Sequence, residues 1–266
     1  TWAGTFEFNE LQYFAGAYKQ VLTSEGLTAF VNASYGLGRP GAGLQEFNYK
    51  TRSTIVEAGL AYPVIRLRER NLTLSALGFM TNDEGSFLDD PNTSPSTRDR
   101  IRGMRLKAEG DIADSFGINQ FNLVVSYGFL GFGSTGNANP LASNLNGKAD
   151  FAKVEGTLSR LQPLGAGFSL FVAGYGQYAG TPLLVSEQCG YGGRFFGRAF
   201  DPSQLLGDHC VQALGELRFD VPTGIKDLTR AQLYAFADYG RVYNIAPDIG
   251  TPASIEGASL GAGFRF

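Results

Sequence analysis

Hydrophobic and polar positions alternate with a period of two along almost the whole chain. From Phe121, the apolar Phe121, Leu123, Val125, Tyr127 and Phe129 interleave with Gln120, Asn122, Ser126 and Gly128. A sharper case puts Met104, Leu106, Ala108, Gly110 and Ile112 on one face and Arg105, Lys107, Glu109 and Asp111 on the other. The same rhythm runs through 27–35, 56–62, 72–76, 213–221 and 258–266. Successive side chains of a strand point to opposite faces, so the pattern predicts β-strands, and no helical stretch competes with them. About eleven such segments of roughly nine to thirteen residues stand out, separated by loops rich in Gly, Pro, Asn, Asp and Ser.

Two architectures use many alternating strands, a soluble sandwich or barrel and a transmembrane barrel. Soluble strands are mostly about five or six residues long, whereas crossing a bilayer takes about 9 to 11 tilted residues. The segment lengths favour the membrane, and an all-β, transmembrane antiparallel β-barrel is expected. The loops alternate between short (63–70, 163–165) and long (83–98, 131–150, 180–210), as short periplasmic turns and longer external loops would. Composition agrees with this reading. The chain has 36 Gly, 13% aromatic and 18% charged residues at a mean hydropathy of -0.08. An outward apolar band with aromatic girdles around a polar lumen produces that mixture, with aromatics turned to lipid and small or charged residues turned inward. No apolar run reaches the roughly 18 residues of a helical span, and no tripartite leader opens the sequence, so any signal peptide is expected to be absent from it. The 22 basic and 25 acidic residues give a net charge of -3, with no basic face for nucleic acid.

Candidate chemistry is sparse. Gly36-Leu-Gly38-Arg-Pro-Gly41 and Gly131-Phe-Gly133-Ser-Thr-Gly136 both fit a G-x-G-x-x-G spacing. Neither opens a helix, so neither offers a dipole to a pyrophosphate, and both read as strand-end loops. His209 is the only histidine, which excludes two-histidine zinc motifs and leaves any Ser-His or Asp-His hydrolase dependent on that one residue. An exposed loop histidine is the plainer reading. No cofactor and no metal are expected. Cys189 and Cys210 lie in one segment and allow a single disulfide, hence an oxidising compartment.

The segment from Gln188 to Cys210 is too long for a hairpin turn, and long loops without their own secondary structure are usually functional. Here Gly192-Gly193, Arg198, Phe200-Asp201, Gly207-Asp208 and Glu216-Leu217-Arg218 resemble the sixth external loop and following strand of two-partner secretion transporters. These are the haemolysin activation/secretion proteins (TpsB; the ShlB/FhaC/HecB family) of the BamA superfamily. Tyr62-Pro63-Val64-Ile65-Arg66 with Arg68 and Asn71-Leu72 is similar to the family's early strand-turn-strand. Tyr175-Gly-Gln-Tyr178 resembles the strand entering the sixth loop, and Gly261, Phe264 and Phe266 look like a terminal β-signal.

In that family a loop arginine of a Val-Arg-Gly-aromatic motif folds into the lumen and pairs with the acid of a Phe-x-Asp strand motif. The resemblance therefore implies a lock made by Arg198 and Phe200 of the loop with Phe236 and Asp238 of Phe236-Ala237-Asp238, and with Glu216 beside them. The chain departs from the motif at Gly197-Arg198-Ala199-Phe200, which lacks the Val and the following Gly. Alternation supports the carry-over independently. With Ala231, Leu233, Ala235, Ala237 and Tyr239 facing lipid, Asp238 points inward, and by the same count so do Glu216, Arg218 and Asp220. Cys189 and Cys210 bracket the loop, and a bond between them would contribute about 3 kcal/mol in the chain-entropy account.

The resemblance implies sixteen strands preceded by a plug helix and two POTRA domains. Residues 1–266 are thus expected to be an incomplete barrel of eleven or twelve strands without POTRA domains, with three strands after the long loop at 180–210. It also implies a non-enzymatic function, translocation of a secreted partner protein of the TpsA type across the bacterial outer membrane without nucleotide hydrolysis. Arg105, Lys107, Glu109 and Asp111 would keep the lumen wet. Outer-membrane lipid, lipopolysaccharide and the BAM insertion machinery are the other partners expected. A passive diffusion channel and an outer-membrane hydrolase using His209 are the alternatives.

Overall fold

A computed structural model describes residues 1–4, 10–39, 49–86, 96–222, 231–247 and 250–266. Pro40 and Gly41 of the first glycine motif, and Arg230, lie outside these. The described residues form fourteen strands: β1 (Trp2–Gly4), β2 (Leu11–Val21), β3 (Thr28–Gly38), β4 (Lys50–Arg66), β5 (Arg70–Ser86), β6 (Thr97–Asp114), β7 (Gly117–Gly128), β8 (Ala152–Gly165), β9 (Phe168–Ala179), β10 (Cys189–Tyr191), β11 (Leu205–Gly207), β12 (His209–Val221), β13 (Ala231–Tyr243) and β14 (Ser254–Arg265). Twelve make one antiparallel meander in chain order, with β12 beside β9, while β10 and β11 form a small hairpin inside the connection. Among the described residues β1 and β14 do not pair, so the sheet is open. Three strands, β12 to β14, follow the long loop.

The register sorts side chains into two faces. Glu57, Phe79 and Gly103 align across β4, β5 and β6, and Ser126, Lys153 and Ala179 across β7, β8 and β9. This is the inner face, against which the loops pack. Met104, Leu106, Tyr127, Leu158, Tyr178 and Leu217 take the other side and are exposed, as an apolar band in lipid would be. Between β2 and β14 each strand is hydrogen-bonded to its neighbours in the meander, as hydrocarbon demands, because an unsatisfied backbone group there costs several kcal/mol.

Three details differ from the sequence expectation. Pro63 and Pro163, read as turn residues, lie inside β4 and β8 at register shifts, and the true turns are Leu67–Glu69 and Ala166–Gly167. A proline has no N–H for the ladder, and a bulge is where a strand tolerates that loss. Strands β4, β5 and β6 run 17, 17 and 18 residues, beyond the predicted nine to thirteen, and the extended ends of β5 and β6 serve as a wall for a loop. Aromatics are also not reserved for lipid. Phe79, Phe151, Phe171, Tyr175, Phe236 and Tyr191 are inside, since the loops create an interior core that needs bulky filling.

That core has two parts. In the first, residues 129–151 fold inward, so that Ala142, Ala149 and Phe151 join Leu183 and Leu184 against Leu77, Phe79, Ile101 and Ala179 of the wall. Backbone bonds fix the loop to the top of β6, among them Phe129 N–H to Arg102 and Thr135 N–H to Arg100. Asp99, buried on β6, accepts from the Ser143 N–H and hydroxyl. The two long loops also hold each other, through the Asn144 amide on the Leu183 carbonyl and the Val185 N–H on the Ser143 hydroxyl. Gly131 and Gly133 of the second glycine motif turn here at φ 132 and 78, in a loop rather than at a helix start.

Gly128 ends β7 beneath this loop, where a Cβ would come within 2.2 Å of the Ala149 carbonyl oxygen and 2.6 Å of the Phe151 ring. Gly128→Val is therefore expected to lift residues 129–151 off the wall while leaving the barrel in the membrane. External protease on intact cells should cut this loop in the variant and spare it in the parent; equal resistance would contradict the packing described.

Candidate functional site: a loop anchored inside the barrel

Residues 180–208 leave β9, turn once at Val185–Glu187, and cross the inner face as the β10–β11 hairpin before joining β12. The root of the loop is fixed in three ways. A disulfide joins Cys189 on β10 to Cys210 on β12, with Cα atoms 6.3 Å apart. The buried Asp208 carboxylate accepts from the Leu183 N–H (2.8 Å), the Gln188 amide (3.1 Å) and the Ile245 N–H (2.9 Å), tying both ends of the loop to the next connection. Glu187, also buried, pairs with Lys153 of β8 at 2.9 Å and Arg105 of β6 at 2.7 Å. Arg105 reaches Glu57 with its other nitrogen (3.1 Å), and Lys153 also pairs with Glu155 (3.2 Å).

The tip descends further. Tyr191 is fully buried, with its ring on Gly240 and Gly257 of β13 and β14 and its hydroxyl donating to Asp238 at 2.6 Å. Burial, with the carboxylate beside it, pushes the Tyr191 phenol up to about 12, so it stays a donor. A Cβ on Gly240 would overlap this ring at 2.1 Å, which is why a small residue stands there. Phe200 packs against Tyr191, ring centroids 5.3 Å apart, and over Gly257. Gly197 turns at φ 73, a conformation costly to other residues, and donates its N–H to Asp238 at 2.9 Å. The glycine that the family motif places after the arginine thus stands before it here, and it is the residue that aims Arg198 downward.

Arg198 pairs with Glu216 of β12, not with Asp238. Asp238 binds the loop through Tyr191 and the Gly197 backbone, and accepts from the Ser259 hydroxyl at 2.9 Å. The pairing implied by the resemblance is therefore redistributed, because the turn at Gly197 brings backbone to Asp238 and carries the guanidinium past it. Glu216 is completely buried and receives two further arginines, Arg218 at 2.7 Å and Arg265 of β14 at 2.9 Å. Aromatic rings support the cations: Phe236 lies 4.3 Å from Arg198, Phe171 4.6 Å from Arg218 and Tyr234 4.0 Å from Arg265.

Of the other expected lumen charges, Lys107, Glu109 and Asp111 share the inner face of β6 with Arg105. Glu109 accepts from Asn122 (2.8 Å) and Asp111 from Asn71 (3.2 Å). The sequence signal for the anchor on Glu187 is Lys153 and Glu155 flanking Val154 at inward positions, opposite the first acid of the long loop. His209 stacks on Tyr178, and its Nδ1 accepts the Ala179 N–H at 3.1 Å. A histidine base needs Nδ1–H donated to a carboxylate, and Asp208 is engaged elsewhere, so the geometry of a triad is not formed.

The same fold is found in solved structures. CdiB from Escherichia coli matches with a TM-score of 0.76 at 15% identity over 98% of this chain and 48% of its own. CdiB from Acinetobacter baumannii matches at TM-score 0.67, 15% identity, 95% of this chain and 44% of its own. BamA from Haemophilus ducreyi lacking POTRA domains 1-3 matches at 0.64, 16% identity, 96% and 56%. The chain spans about half the length of these structures. No curated protein matches significantly by sequence. The fold class is thus that of the CdiB and BamA β-barrels. Within it, the chain belongs to the haemolysin secretion/activation protein family ShlB/FhaC/HecB, which matches residues 32–264. That family is one of transporters rather than enzymes.

Two measurements check the site. Removing the shared partner of three arginines leaves uncompensated buried charge, so Glu216→Gln should lower unfolding stability by about 3 kcal/mol, more than Arg198→Gln, in urea titrations followed by heat-modifiable gel mobility. Denatured, unreduced protein should show no free thiol, and two after reduction.

Proposed function

We propose that this chain is the membrane barrel of a two-partner secretion translocator, which conducts an unfolded secreted partner of the TpsA type outward through the lumen without nucleotide hydrolysis. Membership of the haemolysin secretion/activation family supports the reading. The observation that carries it is a long loop seated inside the barrel and held there by ion pairs rather than by an extensive apolar core alone. Leaving such a buried charge unpaired is costly, but exchanging one charged partner for another keeps each charge compensated, so a lumenal loop can give way to a passing chain and return. Arg198 Nε and Asp238 Oδ2 are both buried without hydrogen-bond partners. They form a complementary donor and acceptor, and the loop can use them when Arg198 exchanges Glu216 for Asp238.

In this reading soluble POTRA domains encoded outside these 266 residues capture the partner on the periplasmic side, further strands complete the sheet, and the BAM machinery inserts the barrel. Folding of the partner outside the cell biases the direction of transport. The loop positions the lumen's constriction, and Arg198, Glu216 and Asp238 position the loop.

Arg198→Ala in the full-length protein is expected to reduce secretion of the partner at least several-fold while outer-membrane levels of the barrel remain unchanged, measured by immunoblot of medium and membrane fractions. Secretion at the parental level would refute the role of the anchor.

A further inference from the structure

The outward face of the barrel carries one concentration of charge that the lumen does not explain. At the long-loop ends of β4, β5 and β6 the register aligns Arg52 with Glu84 and Arg98, then Thr54 with Asn82 and Arg100, then Val56 with Met80 and Arg102. Lys50 stands one row beyond, opposite Ser86. These positions share the parity of Met104 and Leu106, so they point away from the lumen. Among the described residues, five cations thus face one acid. Glu84 pairs with Arg98 at 3.0 Å and approaches Arg52 only to 4.0 Å. Arg100 is exposed and makes no ion pair among the described residues. The corresponding outer ends of β7, β8 and β9 present Tyr127, Ala152 and Tyr178 instead, so the basic cluster is confined to one sector of the wall.

Directly beneath it, on the membrane side, lies an apolar groove of about 380 Å³. Met80, Met104, Phe129 and Phe132 form its sides and Gly78 its floor, with Arg102 at the rim. Arg102 is held there by the Phe132 carbonyl (3.3 Å) and Asn82 (2.8 Å). An arginine cluster above an apolar trough, on the lipid-facing side and at the external end, has the charge and shape of a bidentate phosphate site joined to an acyl-chain site. The outer leaflet of this membrane is built from one lipid with both features. We propose that β4–β6 bind the lipid A end of lipopolysaccharide, its phosphates on Arg52, Arg98, Arg100 and Arg102 and an acyl chain in the groove over Gly78. The site depends on the barrel's orientation in the outer membrane and not on what passes through its lumen.

The test is titration of the full-length protein, purified in detergent, with bisphosphorylated lipid A followed by native mass spectrometry, using dephosphorylated lipid A and phosphatidylglycerol as comparisons. Arg52→Gln/Arg100→Gln removes the two cations least involved in internal bonds. It should weaken lipid A binding on the order of twenty-five-fold, about fivefold per charge. Gly78→Leu projects into the groove, where an added Cβ meets no atom closer than 3.9 Å, and should weaken binding while leaving the arginines intact. Heat-modifiable mobility reports whether each variant is folded; should the double arginine variant fail to fold, Gly78→Leu and the dephosphorylated lipid on the parental protein decide the matter. Parental affinity in the folded variants, equal binding of dephosphorylated lipid A, or equal binding of phosphatidylglycerol would each overturn the assignment.

Discussion

A single carboxylate organises the inside of this barrel. Glu216 is sequestered from water, and an ionised carboxylate in that position is tolerated only when its oxygens are fully engaged. Its partners come from three separate parts of the chain: the loop tip through Arg198, its own strand through Arg218, and β14 through Arg265. The loop's depth, the reach of Arg265 across β13 and the placement of the Phe171, Tyr234 and Phe236 rings are all consistent with satisfying it. Three guanidiniums against one carboxylate leave an excess of positive charge, and the aromatic faces spread that excess where water is scarce.

A second anchor of reversed polarity stands eleven positions earlier in the loop. At Glu187 the loop supplies the acid and the wall the bases, Lys153 and Arg105; at Arg198 the loop supplies the base and the wall the acid. Exchanging the two loop sites would set Glu187 against Glu216 and Arg198 against Lys153 and Arg105. Like-charge contact of that kind is a strong selector of one arrangement even where the matched pairs add little net stability. The aromatic residues Tyr191 and Phe200, seated on Gly240 and Gly257, add the shape component that charges alone do not supply.

Much of this was legible in the sequence, and the limits have physical reasons. Period-two alternation assigns faces correctly through Met104–Ile112 and around Asp238 and Glu216, because burial on a sheet depends on parity alone. Strand ends were less legible: Pro63 and Pro163 normally punctuate turns, and only the neighbouring register shows that bulges absorb them. The outer halves of β5 and β6 place Phe79 and Ile101 inward, which parity records but cannot explain without the 129–151 loop packed on them. Asp238 was readable as inward-facing. Its partners were not, because they depend on the backbone turn at Gly197, and a left-handed glycine two residues before the expected place redirects an entire side chain.

The disulfide bears on the order in which this molecule is built. Cys189 and Cys210 are 21 residues apart, so their encounter needs only local chain closure, whereas the strand pairs of the barrel must find partners in a sheet that is still assembling. An oxidising periplasm can therefore tie off the hairpin while the chain awaits insertion. The loop then enters assembly as a ready-made module, and the wall closes around a plug that already exists rather than threading a free segment into a finished pore.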